Sequence, residues 1–466
     1  MRDITESSAI SPAIFKAYDI RGVVETALTP VAVRAIGQAV GSAAVAAGIS
    51  SVCTGRDGRL SGPVLRQALI DGITSTGTDV VDVGMVPTPV LYFSTMHLGT
   101  GSGVEITGSH NPPEYNGLKM MLGGATLHGD GIQALRTRIE QGDLVSASTP
   151  GSLKQVDLLD AYIAAIVDTV HLSRPMSIAI DAGNGVAGPT AVRLFKALGC
   201  RVTELFTDID GTFPNHHPDP AHPENLQDLI EALRSSDAEL GIAFDGDGDR
   251  LGVVTKDGTI IYPDRQIMLF AADVLAHNPG GEIIYDVKCT RSLAPWIRQH
   301  GGKPTMWRTG HSLIKAKLKE TNAPFAGEMS GHLFFNDRWP GFDDGMYAGA
   351  RLLEVLSRSA DPSAVLNALP SAINTPELQL ATAEGENFTL VERLRDETTF
   401  AGATEVITID GVRVEWPDGF GLARPSNTTP VVVLRFEGDT QAALARIQAE
   451  FRRAILAVAP DARLPF

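Results

Sequence analysis

Three stretches of this chain repeat one order of local structure, and that repeat limits the folds that the chain can adopt. In each, a short apolar strand runs into a polar loop, and a helix-like segment follows that meets a glycine suited to a helix C-terminus. The strand-and-loop segments are Ser51–Arg59, Ser177–Gly185 and Glu282–Arg291, and the helices are Pro63–Ile73, Pro189–Leu198 and Ser292–His300. This order predicts βαβ crossovers with largely parallel sheets, in three related α/β domains.

The C-terminal region has a different pattern. Val406–Ile409, an Asp410-Gly411 turn and Val412–Trp416 predict a β-hairpin, Val431–Phe436 predicts another strand, and Asp439–Val458 has helical spacing. These elements predict a smaller α+β domain. The expected domains are 1–152 with a serine loop, 153–256 with an acidic loop, 257–370 with a sugar-binding loop, and 371–466 with a phosphate-binding loop.

Charge and cysteine content restrict the partners and the compartment. A net charge of −16 argues against nucleic acid or an anionic membrane, because either partner needs a basic face. The three cysteines are far apart, which favours a reducing compartment. Met1–Ser11 is polar and lacks the apolar core of a signal peptide, and Val31–Ile49 has the pattern of an amphipathic helix and not of a membrane span. We therefore expect a cytoplasmic protein.

The segment Thr107–Pro113 (TGSHNPP) contains a candidate nucleophile, Ser109, between a glycine and His110. The Asn-Pro-Pro that follows cannot continue a helix or a strand, so the serine is expected on a loop. His110 can donate to or accept from a phosphoryl oxygen, and Lys119 follows ten residues after Ser109. The G-x-S-x-G pattern of a hydrolase nucleophile elbow is absent.

A second segment, Asp245–Arg250 (DGDGDR), follows the apolar strand Leu240–Phe244. Asp245, Asp247 and Asp249 alternate with glycine, which allows the loop to fold back and point all three carboxylates inward. Such a cluster needs a counter-ion, and hard oxygen ligands select Mg²⁺ or a similar cation. Position twelve of the loop is Lys256 and not glutamate, so the segment is not an EF-hand. Arg250 is expected to hold one carboxylate and to lie near a phosphoryl group.

Two further polar loops are candidates for binding a sugar phosphate. Gly327–His332 (GEMSGH) places Glu328 beside Ser330, a natural clamp for vicinal hydroxyls, and ends at His332. The loop after Gly421 offers one guanidinium and several hydroxyl or amide groups for a phosphate, from Arg424, Ser426, Asn427 and Thr428. Smaller candidates for pocket residues are Tyr18, Arg21, Lys288 and His311, while Arg56–Arg59 (RDGR) receives no role.

In their order and separation, YDIRG, TGSHNP, DGDGDR, GEMSGH and RPSNTTP resemble the α-D-phosphohexomutase superfamily, and most of all its bacterial phosphomannomutase/phosphoglucomutase branch. The resemblance covers essentially the whole chain. It implies four domains, three α/β units of mixed sheet and a C-terminal α+β unit, in a heart shape around one deep central cleft. It also implies a monomer that acts on hexose phosphates through a hexose 1,6-bisphosphate.

The same resemblance implies a role for each candidate residue. Ser109 would be the phosphoserine and, with Asp245, Asp247 and Asp249, a ligand of Mg²⁺. Sugar hydroxyls would be held by Glu328 and Ser330, and the non-reacting phosphate by Arg424, Ser426, Asn427 and Thr428. The general acid and base stay open among His110, Lys119 and His332.

Three other functions remain to be weighed. A phosphoglucosamine mutase shares the chemistry, but Met329 in GEMSGH resembles the mannose/glucose branch more. A metal-dependent phosphatase with a serine nucleophile explains Ser109 and the aspartates, but not a separate sugar clamp and distal phosphate loop. A sugar-phosphate-binding protein without activity needs no metal cluster. The sequence leaves open the preference between mannose and glucose.

Overall fold

The computed structural model describes residues 10–466, so most of the polar segment Met1–Ser11 lies outside the described residues. The chain forms two compact units. The described part of the first unit runs to Pro263 and also includes Lys315–Glu320 and Ser330–Ala368. The second unit comprises Asp264–Ile314, Thr321–Met329 and Leu369–Phe466. Within residues 10–466, no helix combines the length and the apolar composition that a membrane span requires.

The helices of the described residues vary widely in length. They are α1 (Pro30–Ala46), α2 (Gly62–Thr74), α3 (Thr88–His97), α4 (Asp130–Gln141), α5 (Leu159–Thr169), α6 (Ala187–Ala197), α7 (Gln227–Ser235), α8 (Pro263–His277), α9 (Leu293–Gln299), α10 (His311–Thr321), α11 (Gly345–Leu356), α12 (Pro362–Asn367), α13 (Glu386–Glu397) and α14 (Gln441–Val458), with short 3₁₀ turns at Pro12–Ile14 and Pro223–Leu226.

The strands of the described residues are mostly short. They are β1 (Ile20–Val23), β2 (Ser51–Arg56), β3 (Asp79–Met85), β4 (Gly103–Ile106), β5 (Tyr115–Leu122), β6 (Ala125–Thr126), β7 (Leu153–Gln155), β8 (Ser177–Asp181), β9 (Arg201–Leu205), β10 (Leu240–Phe244), β11 (Leu251–Thr255), β12 (Glu282–Asp286), β13 (Lys303–Trp307), β14 (Phe325–Gly327), β15 (Leu333–Phe335), β16 (Ile373–Asn374), β17 (Leu378–Ala381), β18 (Glu405–Ile407), β19 (Val412–Trp416), β20 (Gly419–Pro425) and β21 (Val431–Gly438).

The first sheet of the first unit has the strand order β1-β5-β4-β2-β3-β7, with β6 beside β5. Strands β4, β2, β3 and β7 run parallel, and β5 runs antiparallel to both β1 and β4. Helices α1 and α2 cover this sheet with fully buried side chains such as Ile36 and Leu69, which pack with Val104 of β4. The loop between β4 and β5 carries Ser109, so its two ends are fixed by neighbouring strands.

The second sheet of the first unit has the order β11-β10-β8-β9. Strands β10, β8 and β9 are parallel, whereas β10 and β11 form an antiparallel pair. Helix α7 packs on this sheet through Leu229 and Leu233, which are fully buried with Ala243 and Val254. The loop that closes the β10–β11 pair is Asp245–Arg250, the acidic segment.

The second unit contains parallel strands in the order β13-β12-β14 and an antiparallel C-terminal sheet. That sheet has the order β16-β21-β20-β19-β18, with β17 also beside β21. Helix α14 begins after Thr440, whose side chain accepts a hydrogen bond from Ala443 N, and packs on the sheet through Phe451 beside Trp416 and Phe436.

The predicted fold class is confirmed: β2–α2–β3, β8–α6–β9 and β12–α9–β13 are crossovers between parallel neighbours. The first helix ends at Ala46, earlier than the expected Ile49. The predicted hairpin is confirmed, because β18 and β19 pair in antiparallel fashion, but its loop comprises residues 408–411 and is longer than the expected Asp410-Gly411 turn. Asp410 Oδ2 instead accepts hydrogen bonds from Thr309 N and Arg424 Nε, at 2.9 and 2.7 Å. The expected domain bounds stay a prediction.

Candidate active site

Ser109 lies in a strained and buried position on the loop between β4 and β5. Its φ of 49° is in the left-handed region, and its exposed fraction is 1%. A non-glycine residue pays about 1–3 kcal/mol for such a conformation, so the surrounding contacts must impose it. Ser109 Oγ donates to Asp245 Oδ2 at 2.9 Å and lies 3.1 Å from His110 Nδ1. The hydroxyl is therefore held between a carboxylate and an imidazole.

The acidic loop brings three carboxylates together beside Ser109. Asp245, Asp247 and Asp249 are each 0% exposed, and one oxygen of each lies within 4.8 Å of those of the other two. Gly246 allows this approach, because a Cβ atom there would overlap the carbonyl oxygen of Ser109. The loop therefore brings buried negative charge directly against the serine loop.

Lys119 of β5 offsets part of that charge. Its Nζ donates to Asp247 Oδ2 at 2.7 Å and to Asp249 Oδ2. Burial by itself lowers the pKa of Lys119, but the nearby aspartates outweigh it, and the pKa lies above its ordinary value. Burial followed by repulsion from Asp247 raises the pKa of Asp245 well above its usual range. The single positive charge of Lys119 therefore does not balance the three aspartates.

The cluster also has unused ligand atoms. Asp247 Oδ1 and Asp249 Oδ1 are buried and have no hydrogen-bond partner among the described residues. A buried carboxylate oxygen without a partner is costly unless a cation or water satisfies it. These oxygen atoms fit a hard divalent cation, and the cluster could hold a metal ion.

Glu105 of β4 is a further buried carboxyl group near the cluster. It lies directly opposite Lys119 in the antiparallel β4–β5 pair, and both of its carboxyl oxygens lack a hydrogen-bond partner within residues 10–466. Burial, and then repulsion by Asp57 and Asp247, raises the pKa of Glu105 well above its ordinary value. Folding therefore favours the protonated form of Glu105.

Two imidazoles and a guanidinium surround the cluster. Burial, and then Arg250, lowers the pKa of His110 well below its ordinary value, so His110 is neutral near pH 7. Arg250 Nε donates to His332 Nε2 at 3.0 Å and lies 3.9 Å from Asp245 Oδ2. His332 Nδ1 lies 3.1 Å from Asp343 Oδ2. Both imidazoles are thus close to the acidic loop in defined orientations.

Arg21 and Tyr18 lie at the edge of the same sheet. Arg21 is on β1 opposite Gly117 of β5, and its Nε donates to Asp19 Oδ2 at 3.1 Å. Its positive charge is one of the causes that lower the pKa of His110. Tyr18, two residues before β1, is half-buried.

Asp57 and Arg59, for which the sequence predicts no role, contact the serine loop directly. Asp57 Oδ2 accepts hydrogen bonds from Thr107 Oγ1 and Gly108 N at 2.9 and 3.1 Å. Arg59 donates to the carbonyl oxygen of Ser109 at 2.8 Å. Their position directly after β2 could have predicted this contact, because the serine loop follows β4 and the carboxyl ends of the parallel neighbours β2 and β4 lie at one edge of the sheet.

In the second unit, Asp286 at the end of β12 organises two loops. Its Oδ2 accepts from Thr309 Oγ1 at 3.0 Å, and its Oδ1 accepts from Met329 N at 3.2 Å. Glu328 is 1% exposed, and its Oε1 accepts from Gly310 N. Gly310 immediately precedes His311, the first residue of α10. The sugar-loop carboxylate is therefore held at the start of a helix that carries a candidate imidazole.

The other candidates of the second unit are Lys288, Arg424, Ser426, Asn427 and Thr428. Lys288 Nζ donates to Glu377 Oε1 at 2.6 Å. Arg424 lies at the end of β20, and not on the expected loop, while Ser426, Asn427 and Thr428 lie in the connection to β21. Ser426 Oγ accepts from Thr428 N at 3.3 Å, and Thr428 is exposed. Ser330 is half-buried and belongs to the first unit.

Models of a known protein family match nearly the whole chain. The models described as phosphoglucomutase/phosphomannomutase alpha/beta/alpha domains I, II and III match residues 12–146, 160–258 and 262–373. The model of the C-terminal domain of the same family matches residues 377–454.

Individual relatives agree with these matches. The chain is 60% identical to a phosphoglucomutase of Neisseria gonorrhoeae over 96% of this chain and 98% of the relative. It is 54% identical to a phosphomannomutase/phosphoglucomutase of Pseudomonas aeruginosa, over 99% of both chains. A crystal structure of a phosphoglucomutase/phosphomannomutase family protein from Burkholderia thailandensis has a TM-score of 0.93 at 62% identity and covers 98% of this chain and 100% of its own.

Replacing Glu105 by glutamine tests the protonation of this buried carboxyl group. The unfolded chain releases the Glu105 proton above about pH 4.3, whereas the folded protein keeps it up to a higher pH. The free energy of unfolding therefore falls as the pH rises from about 4.3 to the folded pKa. This contribution is full below pH 4.3 and is lost by about 1.4 kcal/mol per pH unit up to the folded pKa. We expect Glu105→Gln to reduce this slope by up to about 1.4 kcal/mol per pH unit, in chemical unfolding measured from pH 4 to 8. Parallel stability curves for both proteins would contradict a raised pKa at Glu105.

Proposed function

The chain belongs to the phosphoglucomutase/phosphomannomutase family, and we propose that it moves a phosphoryl group reversibly between C1 and C6 of a hexose phosphate through a phosphoserine at Ser109. The observation that carries the role of Ser109 is its hydrogen bond of 2.9 Å to Asp245, inside a buried cluster of carboxylates, imidazoles and cations. Names of relatives that include phosphoglucomutase and phosphomannomutase support glucose and mannose phosphates as substrates.

The reaction has two transfers. Phosphoserine 109 first gives its phosphoryl group to the free hydroxyl of the hexose phosphate, which forms a hexose 1,6-bisphosphate and leaves the serine hydroxyl. The bisphosphate then turns over and returns its other phosphoryl group to Ser109. Any hexose 1,6-bisphosphate from solution would phosphorylate Ser109 in the same way and act as an activator. Such transfers depend mainly on positioning and on stabilising charge.

We propose that Asp245, Asp247 and Asp249 hold Mg²⁺ together with an oxygen of phosphoserine 109. The cation would neutralise charge on the transferring phosphoryl group. Arg250 lies on the same loop and would add a second positive charge. The unpartnered buried oxygens of Asp247 and Asp249 support this assignment.

Proton transfer falls to the groups around the serine. Neutral His110, with Nδ1 at 3.1 Å from Ser109 Oγ, is suited to accept a proton. Lys119 is a second candidate; its charge and its hydrogen bonds to two aspartates suit it to stabilise negative charge. His332 is oriented by the hydrogen bond that its Nε2 accepts from Arg250 and is the third candidate.

Residues outside the serine and acidic loops would bind the rest of the substrate. Glu328 and Ser330 would hold sugar hydroxyls, and further candidates for substrate contacts are Tyr18, Arg21, Lys288 and His311. We assign the non-reacting phosphate to Arg424, Ser426, Asn427 and Thr428. A phosphatase needs no such second phosphate site, whereas a mutase must hold both phosphates. A monomeric state and a cytoplasmic location belong to the same proposal.

The first prediction of the proposal concerns Ser109. Intact mass should show one phosphate on the wild-type protein, and Ser109→Ala should lack it and lose nearly all conversion of glucose 1-phosphate to glucose 6-phosphate. Ser152→Ala, which changes an exposed serine, is the control and should keep both. Release of free phosphate in place of glucose 6-phosphate, or full turnover by Ser109→Ala, would contradict the mechanism.

A second prediction concerns the distal phosphate. Arg424→Ala removes a guanidinium that can bind two phosphate oxygens, and the loss of such a charge-assisted contact costs about 1.5–3 kcal/mol, or roughly ten- to a hundredfold. We expect a higher KM for glucose 1-phosphate and more bisphosphate released into solution, with Ser109 still phosphorylated. Arg446→Ala, at an exposed arginine of the same unit, is the control. Unchanged KM and bisphosphate release in Arg424→Ala would remove this residue from the site.

A further inference from the structure

All the N–H groups of the Arg59 guanidinium donate hydrogen bonds to the serine loop or to Asp57, which contacts that loop. The Nε atom donates to Asp57 Oδ2 at 3.1 Å. The two terminal nitrogens donate to four backbone carbonyl oxygens at 2.5–3.0 Å, those of Ser109, Asn111, Pro112 and Tyr115. A guanidinium has five N–H groups in a fixed plane, so this geometry accounts for all of them. A lysine ammonium cannot reproduce it.

The chain packs tightly around this guanidinium. Arg59 is 1% exposed, and the ring of Phe213 lies 5.1 Å from its Cζ. On another side, a Cβ atom at Gly108 would overlap the guanidinium, so the glycine before Ser109 is needed for this contact. Asp57 completes the arrangement, because its Oδ2 also accepts from Gly108 N and Thr107 Oγ1. The side chain is thus fixed from several directions.

We infer that Arg59 is a positioning residue that holds Ser109 in the geometry for phosphoryl transfer. It has two effects on the serine loop. The contact with the Ser109 carbonyl oxygen helps to hold the backbone at a φ of 49°, which an unsupported serine rarely adopts. It also directs four carbonyl dipoles at the guanidinium, so these negative ends do not face the anionic phosphoryl group. This inference rests on the proposed function, because it concerns the transfer at Ser109.

The test compares the rate at which Ser109 gains a phosphoryl group. Dephosphorylated wild-type and Arg59→Lys proteins are mixed with Mg²⁺ and glucose 1,6-bisphosphate, and intact mass is followed with time. In this step the Ser109 oxygen bonds to phosphorus, the bond to the hexose oxygen breaks, and the hexose oxygen takes the serine proton. Since a misplacement of 1 Å can cost about a hundredfold in rate, we expect Arg59→Lys to be slowed by roughly that factor. Turnover should show the loss in kcat, with KM for glucose 1-phosphate within about twofold.

Two controls separate positioning from a general loss of structure. Arg66→Lys changes another arginine of the same unit, paired with Asp82, and should leave the rate unchanged. In Arg59→Ala, added guanidinium ion should restore part of the phosphorylation rate, whereas sodium at the same ionic strength should not. If neither Arg59 variant folds, Gly108→Ala, whose methyl group displaces the guanidinium, should show the same slow phosphorylation.

The outcomes distinguish this inference from the proposed function. A wild-type protein that gains no phosphate from the bisphosphate refutes the proposed function and the inference with it. If the wild type is phosphorylated and Arg59→Lys gains phosphate equally fast, the role of Arg59 alone is refuted. Where Arg59→Lys does not fold, equally fast phosphorylation of Gly108→Ala has the same meaning. The role of Arg59 is also overturned if the Arg59 variants lose kcat and gain KM by equal factors and guanidinium ion does not restore the rate, since this pattern indicates a general loss of structure.

Discussion

The structure of the first unit must offset the electrostatic cost of three buried carboxylates on one loop. Asp245, Asp247 and Asp249 are fully buried, and such a cluster is unstable unless positive charge and hydrogen bonds offset it. Lys119 supplies one positive charge from the neighbouring sheet, and the Ser109 hydroxyl donates a hydrogen bond to Asp245. The same shortage of positive charge that makes the cluster costly makes it suitable for a cation, which would in turn offset the negative charge of a transferring phosphoryl group.

The fold meets this constraint by placing its polar loops at strand ends. The Ser109 loop joins β4 to β5, the acidic loop joins β10 to β11, and Asp286 lies at the end of β12. Strands hydrogen-bonded to their neighbours give these loops rigid ends, so buried charges can be held at hydrogen-bond distances. The candidate functional residues therefore lie mainly on loops, while the buried sheets provide their placement.

The fold and the main loops could be predicted from the sequence because they depend on local patterns. Alternating apolar strands, helix ends and glycine between aspartates are visible without tertiary contacts. Arg59 could not be assigned in this way, because its partners are backbone carbonyl groups that carry no sequence signal. The hairpin of β18 and β19 was predicted, but its loop is longer than expected, and Asp410 in that loop accepts hydrogen bonds from Thr309 and Arg424, which the local pattern does not show. Tertiary contacts overrode the local preference there.

The most direct test of this account is calorimetric titration of the metal-free protein with Mg²⁺. We expect one bound Mg²⁺ per chain. Asp247→Asn should weaken Mg²⁺ binding by roughly tenfold or more, since even the loss of an outer-shell partner typically costs about 10–100-fold in metal affinity. Asp82→Asn, at a buried carboxylate that pairs with Arg66, should bind as the wild type does. No Mg²⁺ binding by the wild type, or unchanged binding by Asp247→Asn, would contradict the central claim that the aspartate cluster is a cation site for phosphoryl transfer at Ser109.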